Sequence, residues 1–70
     1  MIKLLDLLIK LDDLFDIAIK NDNTLLYNGV VEDIPLSLLK EYCYWNNYVV
    51  QSILTDKVGN MIILIDEEEN

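Results

Sequence analysis

Polar residues among the first thirteen fall at Lys3, Asp6, Lys10 and Asp13, steps of three or four that gather on one helical face. Ile2, Leu4, Leu5, Leu7, Leu8, Ile9 and Leu11 fill most of the remaining arc. The pattern predicts an N-terminal helix over 2–13. Its apolar surface is wider than the stripe of about 100° that suffices to cover one side of a sheet. The excess either meets a second chain or lies under loops of the same chain. From Leu14 to Lys20 the period changes to two. Phe15, Ile17 and Ile19 alternate with Asp16, Ala18 and Lys20, as in a half-buried strand. Asn21-Asp22-Asn23 tolerates left-handed backbone and forms local side-chain turns. Thr24 to Val31 is extended again, which completes a β-hairpin. Gly29 within it marks a bulge or a strand end.

Glu32-Asp33-Ile34-Pro35 predicts the start of a second helix, with Asp33 as its cap and Pro35 in the first turn. Leu36, Leu39 and Cys43 fall on one face, Leu38 and Tyr42 on the next. The helix is expected to stop near Tyr44, because Trp45-Asn46-Asn47 is poor helix sequence. Tyr48–Thr55 and Met61–Asp66 read as two strands joined by the glycine-containing turn DKVGN, a second hairpin. The last strand is apolar on both faces, the pattern of a strand buried on two sides. The tail 67–70, three glutamates and an asparagine, is expected to be frayed, solvated and an obstacle to edge pairing. The predicted fold is α+β in the order α-β-β-α-β-β. It has a small antiparallel sheet of two β-hairpins, with an N-terminal helix and a short second helix packed on it. No repeat or linker divides the chain, so residues 1–70 are expected to form a single acidic domain.

Composition narrows the chemistry. Five lysines stand against thirteen acids, for a net charge of −8, with no arginine and no histidine. Direct binding to nucleic acid or to an anionic membrane needs a basic patch, and Lys3, Lys10, Lys20, Lys40 and Lys57 are scattered and outnumbered. Catalysis through an imidazole base and arginine clamps on phosphate are excluded by composition. The charge either steers the chain toward a basic protein partner or only keeps an apolar small domain soluble. The hydrophobic share of 53% is too high for a disordered acidic tail. The longest apolar run is Met61–Ile65, far below the roughly 20 residues of a membrane-spanning helix. The N-terminus also lacks the cleavage site of a signal peptide.

Cys43 is single, so no internal disulfide forms, and without histidine it builds no zinc site. That usage fits a reducing, cytoplasmic setting, with Cys43 a packing residue. Asp12, Asp13 and Asp16 match no calcium-loop spacing and read as a solvated turn. Glu32, Asp33 and Glu41 form a second acidic group, but a glycosidase pair needs a sugar cleft that a chain this short rarely encloses. No nucleophile–base pair is present. The expectation is a non-enzymatic protein with no cofactor and no metal.

Four of the six aromatics, Tyr42, Tyr44, Trp45 and Tyr48, fall within seven residues, interleaved with Asn46 and Asn47. Either they form an interface, since Tyr and Trp give large, rigid contact area with a polar handle, or Trp45 and two tyrosines cap the core while one tyrosine faces water. The candidate partner-binding residues are Asp33, Glu41, Tyr44, Trp45 and Tyr48. The apolar excess of the first helix makes a homodimer, with that helix in or beside the interface, the natural way for so short a chain to gain core.

Tyr27-Asn28-Gly29, Ile34-Pro35 and the closing hydrophobic run Met61–Ile65, behind a leucine-rich leading helix, resemble the short acidic proteins of phages and mobile elements of AT-rich bacteria. Richness in Ile, Asn, Asp, Lys and Leu without Arg agrees with such a genome. Some proteins of that kind, anti-CRISPR proteins among them, block bacterial defence by binding a nuclease or covering its nucleic-acid groove. The resemblance therefore implies a phage-type inhibitor in a bacterial cytoplasm that blocks a basic, nucleic-acid-binding host protein. No family motif is matched position by position, so no catalytic residue carries over. The alternative expectation is an obligate homo-oligomeric assembly protein whose charge serves solubility alone.

Overall fold

The computed structural model describes residues 2–67. In chain order it holds helix α1 (Leu4–Leu8), strands β1 (Asp16–Asn21) and β2 (Thr24–Val30), and a 3-10 turn (Val31–Asp33). Helix α2 (Leu36–Leu39) then runs on as a π-helical turn (Lys40–Tyr44), and strands β3 (Tyr48–Thr55) and β4 (Met61–Glu67) close the chain. The fold is α+β, with helix, hairpin, helix and hairpin in the order the periodicity predicts. No helix among the described residues is long and apolar enough to cross a membrane.

The four strands lie in the order β2-β1-β4-β3. Each hairpin is antiparallel, but β1 and β4 meet in parallel, from Ile17 opposite Met61 to Asn21 opposite Ile65. The sheet is therefore mixed rather than antiparallel throughout. Burial places β1 and β4 in the middle: β1 is the first strand of its hairpin and β4 the second of its own, and both carry isoleucines with almost no exposure. Their parallel sense comes from the helical connection between the hairpins, which returns the chain so that β3 runs with β2 and β4 with β1.

Two bulges tune the register. Ile19 pairs with Tyr27 and Lys20 with Leu25, so the extra residue of β2 is Leu26, not Gly29. Gly29 is explained by close approach instead: a Cβ there would stand 2.7 Å from the Tyr27 hydroxyl oxygen. The Tyr27 ring lies over the glycine, and its hydroxyl donates to the Val30 carbonyl at 2.6 Å. In β3 the register shifts between Val50 and Ser52, leaving Gln51 extra. The shift keeps both Val50 and Ile53 on the face of Ile65 and Ile63, where strict alternation would turn Ile53 away. The two-residue loop of the first hairpin has Asp22 at φ 53, one of the residue types that accept left-handed backbone. In the second hairpin the Asp56 carboxylate accepts the Val58 and Asn60 N–H groups, each at 2.9 Å, and Gly59 takes φ 88.

The core lies on one face of the sheet. Leu4 and Leu8 of α1 meet Ile17, Ile19, Ile63 and Ile65, with Val50 and Ile34 completing the buried cluster. Leu38, Leu39, Tyr42 and Cys43 pack on it from α2 and the π-turn.

Several expectations are corrected. The first helix covers Leu4–Leu8, not 2–13. Ile2 and Lys3 are extended against β3: the Ile2 carbonyl accepts the Val50 N–H at 2.8 Å, and Lys3 bridges Val49. After Leu8 the chain tightens into i−3 bonds, from Lys10 to Leu7 and from Leu11 to Leu8. The Asp12 side chain then accepts the Leu14 N–H at 3.0 Å, a local turn that competes with helix. Asp33 does not cap α2. It lies in the 3-10 turn, Pro35 holds the cap position without a side-chain bond, and Ile34 before it is extended, as a residue preceding proline prefers. Leu36, placed on one helical face with Leu39 and Cys43, is 58% exposed, while those two pack on the core. Glu67, expected in a frayed tail, is the last residue of β4 and pairs with Tyr48. The rest of that tail, 68–70, lies outside the described residues.

Candidate functional site

The aromatic cluster divides into two pairs. Tyr42 and Tyr48 turn toward the core, edge to face, with ring centroids 4.7 Å apart at 72°. Tyr44 and Trp45 face water, Trp45 at 70% exposure. Trp45 therefore does not cap the core. The backbone explains the split. Trp45 N–H donates to the Lys40 carbonyl at 2.8 Å, an i−5 bond that widens the turn and delays each later side chain in its rotation. Asn46 ends the helix by donating its side-chain amide to the Glu41 carbonyl at 2.7 Å, satisfying one of the carbonyls a helix end leaves open. The same five-residue step carries the Lys40 ammonium over the Trp45 ring, 6.0 Å from its centroid, at the outer limit of a cation–π contact. Lys40 was not among the sequence candidates, since an i to i+5 neighbour exists only in a π-turn.

Glu41 is exposed and acts on the Tyr48 hydroxyl from the helix side, while Glu67 accepts that hydroxyl's hydrogen bond at 3.1 Å from the end of β4. Burial first, then the bond to Glu67, then the charges of Glu67 and Glu41 hold the Tyr48 phenol protonated above the ordinary value of 10.0. Glu41 and Tyr48 are thus brought together, with Tyr42 and Glu67 as companions. Glu67 was missed in the sequence because nothing local distinguishes it from the acids that follow; only the pairing of β3 with β4 places it. Asp33 has a different neighbour. It stands with Asp16 near Tyr27, whose phenol is also pushed above 10.0, by burial first and by those two carboxylates next.

A cleft of about 210 Å³ opens beside this group, lined by Lys3, Leu5, Asp6, Cys43, Asn47 and Tyr48. Pockets for small molecules run from about 300 Å³ upward, so the cleft is small for that role. Half-burial pushes the Cys43 thiol up, toward its unreactive protonated form. Among the described residues no three acidic or cysteine side chains stand together as a metal site, and the Asp12 carboxylate is engaged by its own turn. What the arrangement offers is a surface: two exposed aromatics on a backbone fixed by two hydrogen bonds, beside the exposed Glu41.

Compared with protein-family models, curated proteins and solved structures, the chain matched none.

Proposed function

We propose that this protein is a non-enzymatic binding protein that docks through Trp45 and Tyr44 onto a basic surface of a partner. The observation that carries the reading is the pair of aromatics held out to solvent at the π-turn. A large, rigid ring on a hydrogen-bonded backbone has few rotatable bonds to lose on binding, and Trp and Tyr are enriched among the residues that dominate interfaces. The charge of −8 supports a basic partner, since a field of one sign steers the opposite sign toward it. Glu41 beside the aromatics and Asp33 near Tyr27 supply acidic contacts, and Tyr48 buttresses the patch from below. The resemblance to short acidic phage and mobile-element proteins supports a specific class of target, a nucleic-acid-binding host protein whose phosphate-binding surface is covered, in a bacterial cytoplasm.

Partners that co-purify from the bacterial host supply the test. Glu41→Lys leaves the fold alone, because Asn46 engages only the Glu41 main chain. It should slow association severalfold, and raised salt should mimic it. Trp45→Ala should cost about 2 kcal/mol of binding, mostly through faster dissociation. If neither change alters affinity, this surface is not the docking face.

A further inference from the structure

The sheet has a second face, and the pattern of its side chains is unusual for one open to water. Following the register, Asn28, Ala18, Ile62 and Leu54 lie in one row across β2, β1, β4 and β3. Leu25, Lys20, Leu64 and Ser52 lie in the next, so each row carries apolar residues with a polar one at one edge strand. Both helices pack on the opposite face, in one cluster with Ile17, Ile19, Ile63 and Ile65. Among the described residues no helix or strand remains to cover the outer rows. Leu25 is 53% exposed and Leu54 49%, while Ile62 and Leu64 are half-buried. A two-layer domain ordinarily alternates apolar-in and polar-out along its strands. β4 does not: its outer positions are Ile62, Leu64 and Asp66.

We propose that this face is covered by a second copy of this chain, packed sheet against sheet about a two-fold axis to give a helix–sheet–sheet–helix dimer. Charge selects the occupant. Of the eighteen charged residues, the outward strand positions carry only Asp16, Lys20 and Asp66. Lys20 stands between the two acids along the strand direction, so the face holds both signs and sums to −1. It is the surface on which two molecules of −8 approach with least repulsion. A strongly basic or acidic foreign surface would find no matching field there. Area agrees. Four strands about 4.8 Å apart and seven residues at about 3.3 Å per residue make a face of roughly 450 Å² in plan. Two copies then bury roughly 900 Å² in plan, a little under the ~1,000 Å² of a stable interface and the size of a weak, concentration-dependent dimer. Aligned sheets stack about 10 Å apart, leaving the helical layers outermost. Trp45 belongs to the helical layer, so, resting on its proposed docking role, the dimer presents two such surfaces on its outer sides.

Sedimentation of the full chain from about 5 µM to about 500 µM tests the proposal, a range that brackets the dissociation constant of a small apolar interface. The mass should rise from 8.1 kDa toward twice that value. Raised salt should leave the association intact or tighten it, because the interface is apolar and the repulsion is screened. Leu25→Lys and Leu54→Lys sit at exposed positions on the two edge strands and should each raise the dissociation constant about tenfold or more, with the circular dichroism at low concentration unchanged. Ile9→Lys, at a 71% exposed position outside the sheet, should leave it unaltered. In the unmodified protein, dilution should shift the methyl resonances of Ala18, Ile62 and Leu64 and spare those of Leu4 and Leu8. A mass that stays at 8.1 kDa across the whole range overturns the proposal. So does a dimer that tolerates both edge-strand lysines, or one that Ile9→Lys disrupts.

Discussion

The two faces of the sheet are built from neighbouring residues of the same strands and meet different fates. On the helix face, Ile17, Ile19, Ile63 and Ile65 have at most 1% exposure. One position along, Ala18, Ile62 and Leu64 keep part of their surface in water. Composition does not separate the faces, since both are apolar along β4. What separates them is that α1 and α2 pack on one side only. The rims of the helix face are finished by tyrosines: Tyr27 on β2 and Tyr48 on β3 each pack on the core and place the hydroxyl in a hydrogen bond. The outer face has no such rim. A chain this short supplies one helical layer, and the comparison shows where it was placed.

The largest expected effect is on the helix face. Ile63→Ala should destabilise by about 3–4 kcal/mol, because the packed helices cannot collapse fully onto the cavity. The adjacent Ile62→Ala, measured by denaturant unfolding at low micromolar concentration, should cost about 1 kcal/mol. Equal costs would break the distinction between the faces. A domain of this size holds roughly 3–10 kcal/mol in total, so Ile63→Ala should remove about a third or more of its stability.

A middle-sized effect sharpens the account of the rim. Tyr27→Phe should cost about 1 kcal/mol through loss of the bond to the Val30 carbonyl. Gly29→Ala should cost a similar amount or more, since its new methyl would press on the Tyr27 hydroxyl. The two should not add. In the phenylalanine background the alanine meets no hydroxyl, and a double-mutant cycle should show coupling of about 0.5 kcal/mol or more. Strict additivity would mean that the hydroxyl is not what a methyl at position 29 meets, since the ring carbon at 3.1 Å remains in both backgrounds.

The smallest effect comes from titration. Tyr27 and Tyr48 are held above the ordinary value of 10.0 in the folded chain. Their neutral forms are therefore favoured by folding. That contribution is complete below pH 10 and is lost as pH rises from there through the folded values. Tyrosinate absorbance should show late-titrating components from Tyr27 and Tyr48, and Tyr27→Phe should remove one of them. At the acid end, Asp56 is held below its ordinary 3.8 by the backbone N–H groups it accepts, so its support for the β3–β4 loop is present above 3.8 and fades as pH falls through the lower folded value. The Val58 and Asn60 amide resonances should report that change, while residues on the helix face stay fixed.

Short-range physics was legible in the residues themselves. The period of two from Phe15 to Ile19, the Asn-Asp-Asn turn, the glycine in DKVGN and the run Met61–Ile65 predict two hairpins, and two hairpins are present. The stop near Tyr44 is equally local, because Asn46 caps a carbonyl five residues back. Within the candidate site, the exposure of Glu41 and the weight of aromatics around Trp45 followed from composition. The division of those aromatics into a core pair and a solvent pair did not, since it depends on a π-turn that an apolar count cannot reveal. Three features were decided only by the assembled structure. The parallel meeting of β1 and β4 joins residues more than forty positions apart, and its advantage, the burial of both isoleucine-rich strands at the centre, exists only once both hairpins are formed. The late start of the first helix, at Leu4 rather than Ile2, follows from Ile2 and Lys3 pairing with β3, a strand that begins at residue 48, whereas its early end after Leu8 is local. Along β1 the alternation of Ile17 and Ile19 with Asp16 and Lys20 already marks the inner side, but along β4 the face that the helices cover is a choice between two apolar sides. There periodicity records only that a residue faces a side of its strand, and which side becomes the interior is decided by the strand it pairs with and by where the rest of the chain can reach.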